Sequence, residues 1–218
     1  GDYHGEKFEQ QFDVRQEDSP LVKALADKGI KCDEVTDLVI SHLHFDHVGG
    51  MVYKDEDTYK PIFEKATIHL HKDHWQYALN PTVRDSGSFH TKYFKSVIED
   101  FDKEGKVNWL SGKEGEILKL SNDCLKFKCS YGHTPHLVHP YTSEYIYLAD
   151  LIPTSNHVHI PWVMGYDIAP GQTTVDKMEF LKLITQRDLR VIFEHDPKYA
   201  SARITCNDKG KYIPTDLE

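Results

Sequence analysis

Imidazole and carboxylate side chains crowd into one short stretch of this sequence, His42-Leu-His-Phe-Asp-His47. His42 and His44 stand two apart at the end of an extended segment, a spacing that points both rings to one side. Asp46 and His47 follow in a turn ahead of Val48-Gly49-Gly50. Three further residues of the same types, His133, Asp150 and His195, each come just after a segment that reads as a strand. Strand ends along one sheet edge can converge on a single point. Zinc takes imidazole nitrogen and carboxylate oxygen, and a catalytic zinc keeps one position open for water. Five histidines and two aspartates are too many for one tetrahedral ion. They suit two ions about 3.5–4 Å apart that share a carboxylate and a hydroxide. A lone histidine after a strand is usually just a hydrogen-bonded residue; four such stretches in order are not explained that way. His69, His71 and His74 form a second cluster, read as structural because no carboxylate or cysteine partner is evident for the two on the strand.

The elements that must position these side chains follow from pattern. Ser19-Pro20 reads as the cap and first position of a helix with Leu21 and Leu25 on its apolar face, stopped by Gly29. Residues 37–41 are an apolar, β-branched run and hence a buried strand leading into His42. Residues 1–18 read as irregular and 53–61 as a charged loop. A strand is expected over 66–71, a helix over 72–79 ended by Asn80-Pro81, and a helix over 92–101. Strands are expected over 107–110, 115–120 and 124–130, then over 143–149, ending at Asp150. Residues 151–171 read as a long loop, after which Thr173 and Thr174 cap a helix with Val175, Met178, Leu181 and Ile184 at helical spacing. A strand over 190–193 leads to His195, and two short strands close the chain. No repeat, low-complexity tract or linker interrupts it, so residues 1–218 read as a single α/β domain.

The net charge of −9 opposes a nucleic-acid partner, because phosphate binding wants a surplus of Lys and Arg. No apolar run approaches the roughly 18 to 20 residues that span a bilayer. Cys32, Cys124, Cys129 and Cys206 form no CxxC pair and read as buried reduced thiols, which favours a reducing, cytoplasmic setting. The expected partner is a small-molecule substrate, with neither nucleic acid nor membrane; a homo-oligomer is compatible with the composition.

His-Leu-His-Phe-Asp-His followed by Val-Gly-Gly resembles the signature of the metallo-β-lactamase fold superfamily. Gly132-His-Thr-Pro-His136 resembles its Gly-His-Thr-Pro motif, Tyr147-Leu-Ala-Asp150 its bridging aspartate, and Phe193-Glu-His-Asp-Pro197 its last ligand. The resemblance implies a four-layer αββα sandwich that lacks its N-terminal strands in this chain, and hence one sheet with an uncovered edge. It also implies that His42, His44 and His133 hold one zinc, that Asp46, His47 and His195 hold the other, and that Asp150 bridges them. Iron or manganese is the alternative metal. One departure is that the family's Gly-His-Thr-Pro-Gly-His is here interrupted by His136 and Leu137.

The implied activity is that of a dinuclear zinc hydrolase, in which a metal-bridging hydroxide attacks a lactone, carboxyl ester or phosphotriester and Asp46 orients that hydroxide. The lactonase and organophosphorus-hydrolase branch is the most similar one. In N-acyl homoserine lactonases a tyrosine three residues after the bridging aspartate assists the leaving group, whereas Pro153 stands here. His157, His159 and Tyr166 are the other acids available, with His157 and Tyr166 taken as the catalytic candidates. Trp162, Val163, Met164 and Tyr166 read as an apolar pocket wall. The alternatives are a thioesterase of the glyoxalase II type and a non-enzymatic metal-binding module of the same fold.

Overall fold

The computed structural model describes residues 5–13 and 19–218. Its helices are α1 (Glu6–Phe12), α2 (Pro20–Asp27), α3 (Phe45–Val48), α4 (Lys72–Leu79), α5 (Thr91–Lys103) and α6 (Pro170–Arg187). Its strands are β1 (Asp37–Val39), β2 (Val52–Asp55), β3 (Thr58–Pro61), β4 (Thr67–His71), β5 (Val107–Leu110), β6 (Glu114–Lys119), β7 (Cys124–Ser130), β8 (Leu137–Tyr141), β9 (Tyr145–Tyr147), β10 (Arg190–Ile192), β11 (Ser201–Cys206) and β12 (Tyr212–Thr215). They fall into two compact units, one made of residues up to 70 together with 78–109, the other of 71–77 together with 110–218. No helix among the described residues is long and apolar enough to cross a membrane.

The first unit is organised on a sheet in the order β1-β4-β5, with β1 at one edge and parallel to β4, Leu38 beside Ile68. Ile68 and Leu70 are fully buried. The amphipathic α5 contributes Tyr93, Phe94, Val97, Ile98 and Phe101 from a single face. Each such side chain stabilises the unit by about 1.5–3 kcal/mol. Residues 53–61, expected as a loop, pair instead as the antiparallel ribbon β2–β3, Tyr53 facing Lys60 and Lys54 facing Tyr59. Its charged side chains stand in solvent, so no apolar alternation marked it, and its turn is made by Glu56 at φ 52° rather than by a glycine. Helix α1 lies within the stretch expected to be irregular; residues 1–4 and 14–18 of that stretch lie outside the described residues.

The second unit holds a sheet in the order β12-β11-β10-β9-β8-β7-β6. Strands β9 and β10 run parallel, Ile146 beside Val191. The core gathers Ile146 and Val191 from these strands, Leu148 just after β9, Ala202 from β11, and Phe180, Leu181 and Ile184 from α6. Strand β8 was not expected, because Pro140 interrupts it and proline cannot donate to a ladder. Pairing from β8 to β9 is accordingly reduced to Tyr141 with Ile146. Helix α6 starts at Pro170, not at Thr173. Proline fits the first helical turn because its missing N–H would have no partner there, and the Thr173 hydroxyl is employed elsewhere. Of the four cysteines only Cys129 is buried, against the expectation for all of them.

Candidate metal centre

In the first unit, β1 runs on into the histidine stretch, with the Ile40 N–H donating to the His69 carbonyl at 3.0 Å. His42 is fully buried. Its Nδ1 lies 3.2 Å from Ser41 Oγ, which turns Nε2 to the other side of the ring. His44 precedes α3, the single turn that carries Asp46 and His47. The three imidazoles gather closely, with ring centroids 4.5 Å apart for His42 and His44 and 4.0 Å apart for His42 and His47. Phe89 packs against His44 at 4.6 Å. The Asp46 carboxylate is more exposed, 3.7 Å from His47 Nε2.

In the second unit the central group is Asp150. It follows Ala149, whose φ of 41° is a left-handed conformation that costs an L-residue roughly 1–2 kcal/mol. That turn out of β9 buries the carboxylate between two histidines. Asp150 Oδ2 is 3.1 Å from His133 Nε2, and Oδ1 is 3.2 Å from His195 Nε2. Two ligand atoms on one zinc, each bonded at about 2.1 Å, stand about 3–3.4 Å apart. The donor set and its spacing therefore fit divalent metal binding.

His133 is fixed from its other side. Its Nδ1 lies 2.9 Å from Asp167 Oδ1, and the second oxygen of Asp167 accepts the Thr173 hydroxyl at 2.8 Å. Burial works against a charge on His133, but the bonds to Asp150 and Asp167 outweigh it and raise the pKa to about 9. The preceding backbone is held by Asp176, whose Oδ2 accepts the Tyr131 and Gly132 N–H groups at 2.6 and 3.1 Å. Gly132 is obligatory at this point: a Cβ there would lie 2.2 Å from both the nitrogen and the hydroxyl of Thr173. Next along α6, the fully buried Lys177 donates to the carbonyls of His159, Ile160 and Trp162 at 2.8, 3.2 and 2.7 Å. Burial pushes its pKa down to about 8, although Asp167 opposes the shift. Pattern reading singled out none of Ala149, Asp167, Asp176 and Lys177. The one usable signal was that a buried histidine ligand needs a partner on its second nitrogen.

Of the acid candidates, His157 is half-buried with Nδ1 2.7 Å from the Thr154 hydroxyl. Burial, with Lys177 next in effect, lowers its pKa. Tyr166 is 72% exposed, and His159 leans edge-on against Trp162 at 5.5 Å. His69 does have a carboxylate partner, contrary to expectation: Asp37 Oδ1 lies 2.7 Å from its Nε2, with Asn108 at 2.9 Å from its Nδ1. His74 is a structural residue, buried and 2.7 Å from the Pro135 carbonyl. Burial pushes its pKa down to about 4, keeping it neutral.

A sequence model of the family described as anti-Pycsar protein Apyc1 matches residues 19–156. That is well over half of the chain, and it takes in the whole 42–47 stretch together with His133 and Asp150. The chain belongs to this family. It is also 28% identical over 184 residues to the N-acyl homoserine lactonase AttM of Rhizobium johnstonii, a match covering 81% of this chain and 62% of the relative. The chain thus spans less than two thirds of that relative's length. Among solved structures, a probable metal-dependent hydrolase from Staphylococcus aureus superposes with a TM-score of 0.76 at 21% identity, over 97% of this chain and 73% of the other. The dizinc quorum-quenching lactonase AidC gives 0.68 at 22% identity, over 92% and 70%. AbOPH, a hydrolase of the β-lactamase superfamily, gives 0.67 at 19%, over 90% and 69%. These likenesses establish the fold, an α/β arrangement of the metallo-β-lactamase type.

Proposed function

We propose that this chain is a metal-dependent hydrolase of ester-like bonds in small molecules. The observation that carries the reading is Asp150, a buried carboxylate with each oxygen set against a different imidazole nitrogen, as a bridge between two cations requires. In this reading His42, His44 and His133 hold one divalent ion, Asp46, His47 and His195 hold the other, and Asp150 serves both. Zinc is the metal of choice for such a set, with iron or manganese as alternatives. When bound there, such ions would supply a hydroxide nucleophile near neutral pH and Lewis-acid polarisation of a carbonyl or phosphoryl oxygen.

The chain's own residues do the rest. Asp167 holds the proton on His133 Nδ1, so Nε2 is the nitrogen presented to a ligand. Asp46, the most exposed of the acidic ligands, orients the attacking oxygen. His157 and Tyr166 are the candidate donors of a proton to the leaving group. Trp162, Val163, Met164 and Tyr166 form the apolar wall against which a substrate lies. Substrates are lactones, carboxyl esters or phosphotriesters. Pro153 removes the tyrosine that assists N-acyl homoserine lactonases, which weighs against that one class.

The test is a panel of lactones, aryl esters, thioesters and phosphotriesters, assayed with zinc-, iron- and manganese-loaded protein and with Asp150→Asn. We expect turnover of at least one oxygen-ester class, reduced at least 100-fold in Asp150→Asn together with its metal content. Equal turnover and equal metal content in the variant would sink the assignment. So would failure of every substrate with fully loaded protein.

A further inference from the structure

A second histidine cluster lies in the same unit as Asp150, away from its carboxylate. His136 closes the stretch that carries His133, and its backbone is left-handed, with φ 57°. Histidine enters that region at a cost of order 1 kcal/mol, and an observed strain of this kind is a reason to look for a role. Glycine would occupy it freely. The conformation lays the His136 ring on that of His71, centroids 4.6 Å apart and planes inclined by 19°. Nδ1 of His136 is buried and meets no hydrogen-bond partner among the described residues. His71 is itself fully buried at the end of β4. Its Nε2 stands 2.9 Å from the Gly112 carbonyl, and since a carbonyl can only accept, Nε2 carries the proton and Nδ1 the lone pair. That lone pair faces the start of α4, where the Asp73 N–H reaches it at a long 3.2 Å. Asp73 has an exposed side chain. One donor atom from each of His71, Asp73 and His136 lies within 4.8 Å of the other two.

We propose that His71, Asp73 and His136 form a separate mononuclear site for a divalent transition ion, zinc above all. Two imidazoles, one carboxylate and water complete a tetrahedral zinc shell. The Gly112 carbonyl behind His71 Nε2 is the usual outer support of a ligating histidine. Ligand atoms on one zinc stand about 3–3.4 Å apart, closer than the 4.8 Å within which these donors lie, so the cluster contracts on binding. The exposed Asp73 side chain turns toward the ion, and His71 gives up its long bond to the Asp73 N–H. The ion then ties the start of α4 to the 131–136 stretch and acts as a clamp on the backbone that presents His133.

The inference stands independently of the hydrolase reading and is tested by counting metal. The whole chain, His136→Gly and Asp73→Asn are dialysed to equilibrium against buffered zinc, and zinc per chain is measured. The glycine variant relieves strain and the asparagine variant is on the surface, so both fold. Each is expected to retain one zinc fewer than the parent, and cobalt substitution to show a d–d absorption component in the parent that both variants lack. Equal zinc in all three proteins overturns the site. His42→Ala/His44→Ala is carried alongside. If it keeps the parent's full zinc content, the catalytic metal assignment fails, while a deficit in His136→Gly and Asp73→Asn still upholds the present one.

Discussion

The histidine turn of the first unit and the acid–histidine set of the second are built in opposite ways. His42, His44, Asp46 and His47 lie within six consecutive residues, and their geometry comes from a strand end and a single helical turn. Beside His42 stand the Ser41 hydroxyl at 3.2 Å and the rings of its neighbours His44 and His47. His133, Asp150 and His195 come from three separate places in the chain. They are aimed by a dense layer behind them: Asp167 and Thr173 on His133, Asp176 on the backbone before it, a left-handed Ala149 before Asp150. A compact motif carries its geometry in local spacing, whereas a dispersed one must borrow it from neighbours. Damage to the supports should therefore cost far more in the second unit than in the first.

The largest expected effect is at Gly132. The Cβ of Gly132→Ala would meet main-chain atoms of Thr173, which cannot retreat without moving α6. We expect a loss of about 3 kcal/mol or more, measured by urea unfolding. Its counterpart in the first unit is Gly50, where a Cβ would stand 3.3 Å from the end of the half-exposed Leu21 side chain. A loss of similar size in Gly50→Ala would break the comparison; we expect less than about 1 kcal/mol.

Next in size is a pH effect at Lys177. Its pKa in the folded chain, about 8, lies below the ordinary value of 10.5. Between those values the unfolded chain holds a proton that the native state has released, so stability rises with pH at about 1.4 kcal/mol per unit. Below pH 8 the penalty for the buried charge is fully present. Lys177→Met removes this titration. Urea unfolding of both proteins should show the parent gaining up to about 3 kcal/mol on the variant from pH 8 to 10.5. Parallel curves would show that Lys177 is not held in its charged form against burial.

A smaller change is expected from Asp167→Asn, which should weaken zinc binding by about 10–100-fold while leaving the fold intact. Ser41→Ala, the analogous change behind His42, should cost only a few-fold. Competition with a chromophoric chelator measures both, and a reversed order would show that the first unit depends on its supports more than the second.

The same contrast explains what was legible. The 42–47 stretch announced itself because imidazole and carboxylate at that density have no ordinary structural use. His133, Asp150 and His195 were visible through strand ends and motif order. Asp167 was not, because a buried aspartate in a long loop has the sequence appearance of a surface one. Strand β8 was hidden by Pro140, and β2–β3 by charges that decorate a ribbon open to solvent. Ser19-Pro20 does open α2, but Thr173 does not open α6: its hydroxyl serves Asp167 while Pro170 begins the helix. Side chains that act at a distance in sequence leave no local period to detect.

Lys177 has one more consequence, for how the loop before α6 can change over generations. All three of its acceptors are main-chain carbonyls, at His159, Ile160 and Trp162. Every amino acid supplies that carbonyl, so the anchor is blind to which side chains the loop carries. Trp162, 55% exposed, is therefore open to mutational drift without loosening the strap beneath it. A molecule wired in this way can try new outward faces on that loop while a single buried lysine keeps the backbone path in place.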